Sequence, residues 1–104
     1  MPQSEYTVSV DANAKDKMVK HTKFLAQVSV PAAQRLRDAY YSALKSLEVN
    51  PQRCPHYQSS VFIENELRFL IFSKRYRIVF EVVDNLVFVY DVQDARQDVD
   101  KNLI

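Results

Sequence analysis

Arg75-Tyr76-Arg77-Ile78-Val79-Phe80-Glu81-Val82-Val83-Asp84-Asn85-Leu86-Val87-Phe88-Val89-Tyr90-Asp91-Val92-Gln93 is the stretch that decides the fold. Branched and aromatic residues alternate on both sides of Asp84-Asn85, which predicts strands from Tyr76 to Val83 and Leu86 to Gln93. The two residues between them form a tight hairpin turn without glycine, and Asn in particular tolerates left-handed backbone. With that turn, Val83 lies opposite Leu86 and the register follows. One face then carries Arg77, Val79 and Glu81 against Val92, Tyr90 and Phe88. Continuing the parity in extended form adds Asp94 and Arg96 to it. The other face carries Tyr76, Ile78, Phe80 and Val82 with Val87 and Val89. It is the more continuously apolar of the two, so it is expected to pack against the rest of the chain.

Outward from this hairpin, Leu67 to Phe72 reads as a further strand, and Val61-Phe62-Ile63 as a short extended piece. Residues 51–60 hold Pro51, Pro55, Ser59 and Ser60 and read as loop. Upstream the period changes from 2 to 3.6. Ala14, Met18, Thr22, Leu25 and Ala26 line one face of a helix capped by Asp11, with Lys15, Lys17, Lys20 and Lys23 opposite. Ser29 caps a second helix, with Pro31 in its first turn and Leu36, Tyr40, Ala43, Leu44 and Leu47 on its apolar face. Asn50-Pro51 ends it. So short a connection predicts an antiparallel helical hairpin. Tyr6 to Val10 alternates and reads as a first strand. The expected fold class is α+β, of order β-α-α-β-β-β. It is an antiparallel sheet with the N-terminal helical hairpin packed on one face, and a single domain over 1–104.

Composition narrows the function. The chain has 104 residues, 47% of them hydrophobic and 26% charged, which is ordinary for a globular domain. A net charge of +1 gives nucleic-acid binding no general electrostatic help. Glycine is absent, which excludes glycine-rich phosphate loops and dinucleotide fingerprints. The single cysteine, Cys54, fits a reducing cytoplasm. No apolar run approaches membrane-spanning length and Met1-Pro2-Gln3-Ser4-Glu5 does not open a signal peptide, so a cytoplasmic chain with no membrane role is expected. Cys54-Pro55-His56 has too few companions for zinc, so neither metal nor cofactor is expected. His21 and His56 read as surface residues.

Four local sequences, in this order, resemble the RelE/ParE superfamily of type II toxin–antitoxin toxins. They are Lys23-Phe24-Leu25-Ala26-Gln27; Ser46-Leu47-Glu48 running into Pro51-Gln52-Arg53; Arg75-Tyr76-Arg77-Ile78-Val79-Phe80-Glu81-Val82; and Asp91-Val92-Gln93-Asp94-Ala95-Arg96-Gln97-Asp98. The resemblance runs from about Tyr6 to Asp98 and implies a bacterial toxin held by a cognate protein antitoxin. It implies one of two activities. Members similar to RelE are metal-independent endoribonucleases (mRNA interferases) that cut messenger RNA on the ribosome. Members similar to ParE, associated with plasmid stabilisation, inhibit DNA gyrase without catalysis. An inactive binding protein of toxin fold is the third possibility.

For the nuclease, Arg77 matches the arginine of the family's strand motif and Arg96 the arginine after the last strand. Arg68 adds a second-strand cation, and Tyr90 is the one candidate proton donor. Against it, Lys101-Asn102-Leu103-Ile104 offers no Tyr or His, and Asp91, Asp94, Asp98 and Asp100 surround Arg96. Surface ion pairing of Arg77 and Arg96 with Glu81 and these aspartates is the competing structural reading. For the antitoxin, the outer face is expected to expose Val79, Phe88, Tyr90 and Val92 around Arg77, with Arg77, Phe88 and Tyr90 as the contacts.

Overall fold

The computed structural model of the chain describes residues 5–57 and 67–94. Val61-Phe62-Ile63 and Arg96 lie outside them. Strand β1 (Thr7–Val10) leads into helix α1 (Ala12–Ala26), whose N-terminus is capped by Asp11 accepting from the Asn13 amide. Helix α2 (Val30–Ser46) starts at Ser29, whose hydroxyl accepts from the Ala32 amide, with Pro31 in the first turn as anticipated. Asn50 turns left-handed at φ 53° into a 3-10 turn, Pro51–Arg53. Arg53 reaches back to the carbonyls of Ser46, Val49 and Asn50 at 3.1–3.3 Å, supplying a cation to the end of α2. Strands β2 (Leu67–Phe72), β3 (Tyr76–Val83) and β4 (Leu86–Asp94) complete the order.

The sheet order is β1-β4-β3-β2. β2, β3 and β4 form the expected antiparallel meander, and β1 adds parallel to β4 with Val8 opposite Val87 and Val10 opposite Val89. The helical hairpin covers one face. Its core joins Ala14 and Met18 of α1, Leu36, Tyr40 and Ala43 of α2, and Leu47 to Ile78, Phe80, Val87, Val89 and Val92 of the sheet.

Val92 corrects the register read from the turn. Val83 does oppose Leu86, and Glu81 opposes Phe88, but the ladder slips between Val79 and Phe80: Phe80 pairs with Val89 and Val79 with Asp91. Tyr90 is the extra residue of a β-bulge, which reverses the parity of everything after it. Val92 and Asp94 therefore face the helices opposite Ile78 and Tyr76, whereas Asp91 and Gln93 join Val79 and Arg77 on the outer face. The parity that carried Arg96 to the side of Arg77 ran through Asp94, and that premise is lost.

The turns also differ from expectation in one residue. Asp84, not Asn85, holds the positive φ, at 54°, and Ser73 and Lys74 share it in the β2–β3 turn. A positive φ at only the first central position is the sign pattern of a II′ hairpin, a position glycine usually fills.

A polar and aromatic surface on the outer face of the sheet

On the face away from the helices, register brings Leu67, Phe69 and Ile71 of β2 beside Glu81, Val79 and Arg77 of β3, and these beside Phe88, Asp91 and Gln93 of β4. Pro55 to Tyr57 runs along the β2 edge, the Phe69 amide donating to Pro55 and the Tyr57 amide to Leu67. This places the Tyr57 ring edge-on to Phe69 with centroids 6.4 Å apart. The Arg77 guanidinium lies 5.2 Å from the Tyr57 centroid and 5.9 Å from that of Phe69. Each such contact contributes about 0.5–1 kcal/mol at a partly exposed site.

Arg77 Nε also donates to Gln93 Oε1 at 2.8 Å. The Gln93 amide donates in turn to the Tyr57 hydroxyl at 3.2 Å and to Asp91 Oδ2 at 3.0 Å. Asp91 Oδ1 receives Lys17 of α1 at 2.6 Å. A chain of contacts therefore runs from a helix lysine to the sheet arginine, and it fixes the direction in which that arginine points.

The other end of the face has the opposite charge. Tyr90 donates its hydroxyl to Glu81 Oε1 at 2.6 Å and packs edge-on against Phe88 at 4.8 Å. That hydrogen bond, then burial, then the charges of Glu81 and Asp11 push the Tyr90 phenol above its ordinary range. From Gln93 back to Tyr90 is three residues, about 10 Å along the strand. The face therefore grades from cationic near the β2–β3 turn to anionic near the β3–β4 turn.

The structure brings together some of the residues singled out from sequence and separates others. Arg77, Phe88 and Tyr90 do share the outer face. Arg68 lies on the opposite one, opposite Phe80, and donates to the carbonyls of Gln52 at 3.1 Å and Cys54 at 2.7 Å, stapling the 3-10 turn to the sheet edge. Arg75 stacks on the Tyr76 ring at 5.1 Å, the same ring that His21 meets edge-on. Arg68 and Arg77 are thus on opposite faces of the sheet and cannot share one phosphate. Of the four apolar residues expected there, two are withdrawn, while Ile71 of β2, 43% exposed, joins the face. Val79 is only 3% exposed and Val92 is in the core, leaving Phe88 half-buried and Tyr90 at 41%. Burial pushes the Cys54 thiol up, with Arg53 and Arg68 opposing, so the thiolate a nucleophile requires is disfavoured.

Tyr57, Phe69, Gln93 and the Lys17–Asp91 pair escaped sequence reasoning. The spacing of Val87, Val89 and Val92, two residues and then three, was the available sign that Gln93 would share a face with Arg77. Nothing local joins Tyr57 or Lys17 to them. Among the described residues, no three His, Cys, Asp or Glu gather as a metal site, and no helix is long and apolar enough to cross a membrane.

The helical hairpin on one face of a mostly antiparallel sheet is the architecture that the resemblance to the RelE/ParE superfamily implies, and comparison with known proteins agrees. The solved structure of the chromosomal ParDE TA system from P. aeruginosa superposes with a TM-score of 0.71 and 12% identity, over 88% of this chain and 98% of that one. No curated protein sequence matches. The family described as the ParE toxin of the type II toxin-antitoxin system, parDE, matches residues 8–99. The chain belongs to that family of toxins.

Proposed function

We propose that this chain poisons DNA gyrase by binding it without catalysis, and that an acidic, amphipathic antitoxin segment neutralises it across the outer face. The observation that carries the choice against RNA cleavage is the Tyr90–Glu81 hydrogen bond. The candidate acid donates its hydrogen bond to a carboxylate, which holds its proton more tightly. That carboxylate, with Asp11 near, makes the surroundings of Tyr90 repel a scissile phosphate. Arg68 serves the fold on the opposite face. Among the described residues, the acid–base set that ribose 2′-OH attack requires is incomplete.

The charge gradient also orients the antitoxin. Its carboxylates are expected at the Arg77 end and its apolar anchors at Phe88 and Tyr90, away from Glu81. The setting is the cytoplasm, where both partners meet.

The test uses purified chain with gyrase and relaxed plasmid, alongside ribosomes programmed with messenger RNA. Loss of supercoiling with accumulation of cleaved DNA, and intact messenger, is the expected result. Messenger cleavage that disappears in the Arg77→Ala, Arg96→Ala double variant would replace this reading with the ribonuclease. Inactivity in both assays would leave a toxin fold that only binds.

A further inference from the structure

The most exposed apolar side chains among the described residues are not on the sheet. Val28 is 79% exposed, Phe24 69% and Val30 56%, and these three sit together at the end of the helical hairpin where α1 turns into α2, whereas Tyr41, at 60%, stands alone further along α2. The turn itself is well formed. The Val28 and Ser29 amides both donate to the Leu25 carbonyl, and Ser29 caps α2. These side chains are therefore displayed by ordered backbone.

Their surroundings carry one sign of charge. From Lys17 to Arg37 the chain has Lys17, Lys20, Lys23, Arg35 and Arg37 and no Asp or Glu. Lys17 is engaged by Asp91 at 2.6 Å, and Arg37 meets the neighbouring Asp38 at a loose 3.9 Å. Lys20 precedes Phe24 by one helical turn, so an ammonium and an aromatic ring lie side by side on α1. Apolar anchors next to lysines, with no acid within the stretch, complement a surface whose apolar stripe is bordered by carboxylates.

We infer that the tip of the helical hairpin is a second protein-docking surface, taking an acidic amphipathic helix of a partner protein. Phe24, Val28 and Val30 bury the helix's apolar stripe while Lys20 and Lys23 meet its flanking carboxylates. An anionic membrane is the weaker match. Two or three cations supply only about 1 kcal/mol each at such a surface, and a few side chains at the tip of a hairpin insert little apolar area. The helical hairpin packs on the face of the sheet opposite Arg77, Val79 and Glu81, so this surface does not depend on the gyrase reading and is available when the outer face is occupied.

The test titrates the purified, isotope-labelled chain with a short amphipathic helical peptide of Leu and Glu, following backbone amide shifts. Shifts centred on residues 20–30 are expected. A Phe24→Ser, Val28→Ser variant and a Lys20→Glu, Lys23→Glu variant should each bind at least tenfold more weakly. Both changes are at exposed positions, and circular dichroism confirms that the variants fold. A Leu/Lys peptide of the same length should leave the tip unperturbed. Shifts confined to the sheet, no shifts at millimolar peptide, or equal response to the Leu/Lys peptide would each overturn the inference. So would binding to phosphatidylglycerol vesicles in place of the peptide.

Discussion

Replacing Val92 by Ala tests the bulge on which the outer face depends. In the structure Val92 is fully buried opposite Ile78, beneath the helical hairpin. Removing its two methyl groups forfeits about 1.6 kcal/mol of transfer free energy at roughly 0.8 kcal/mol per carbon. The residual cavity raises the total to about 2–3 kcal/mol. Unfolding entropy near 2.1 cal/mol/K per residue makes each kcal/mol worth about 5 °C for a chain of this length, so Tm should fall by roughly 10–14 °C. Thermal denaturation followed by circular dichroism gives the number. Tyr90→Ala is the control: it loses an exposed hydrogen bond and one ring contact, costing about 1 kcal/mol and about 5 °C. Without the bulge, Val92 would stand on the outer face and its truncation would cost little. A shift below about 2 °C for Val92→Ala, or a larger one for Tyr90→Ala, would refute the register and with it the pairing of Arg77 with Gln93.

Asp84 occupies a left-handed position at φ 54°, so Asp84→Gly should stabilise the fold by about 0.5–1 kcal/mol in denaturant unfolding, while Asn85→Gly should not. The Tyr90 phenol ionises above its ordinary range because it donates to Glu81. The folded state thus holds that proton to higher pH than the unfolded chain. This contribution to stability is complete below the ordinary tyrosine value of about 10 and is lost as pH rises through the folded-state value. Glu81→Gln should bring the Tyr90 titration, read from phenolate absorbance with Tyr90→Phe as the blank, down toward the ordinary value; an unmoved titration would detach Tyr90 from Glu81. Substituting Arg77 and Phe88 together by Ala should weaken the complex with the cognate antitoxin more than tenfold, about 1.4 kcal/mol or more, by calorimetry. Undiminished affinity would move the antitoxin elsewhere on the toxin.

The helices and strands were legible because each carries its own chemistry. Asp11 and Ser29 cap where expected, the bounds of β2 and β3 match the alternation, and Val83 meets Leu86. What was not legible depends on contacts between distant segments. A bulge changes the face of a strand without changing its composition, so Val92 looked as eligible for the outside as Val79. Val79 is on the outer face yet buried, a matter of tertiary cover that alternation cannot report. Arg68 looked like part of a cationic site until its acceptors, the Gln52 and Cys54 carbonyls, were placed beneath it. The same limit hid Tyr57, whose position beside Arg77 follows from pairing along the β2 edge. Family membership was legible because its motifs are local; the choice between gyrase and messenger RNA rests on how side chains meet across strands.

The most direct test of the central claim is pulse-labelling of DNA and protein synthesis in bacteria induced to express this chain without an antitoxin. Arrest of DNA synthesis ahead of protein synthesis is the predicted result. Arrest of protein synthesis first, abolished by Arg77→Ala with Arg96→Ala, would contradict the account and establish an RNA-cleaving toxin in its place.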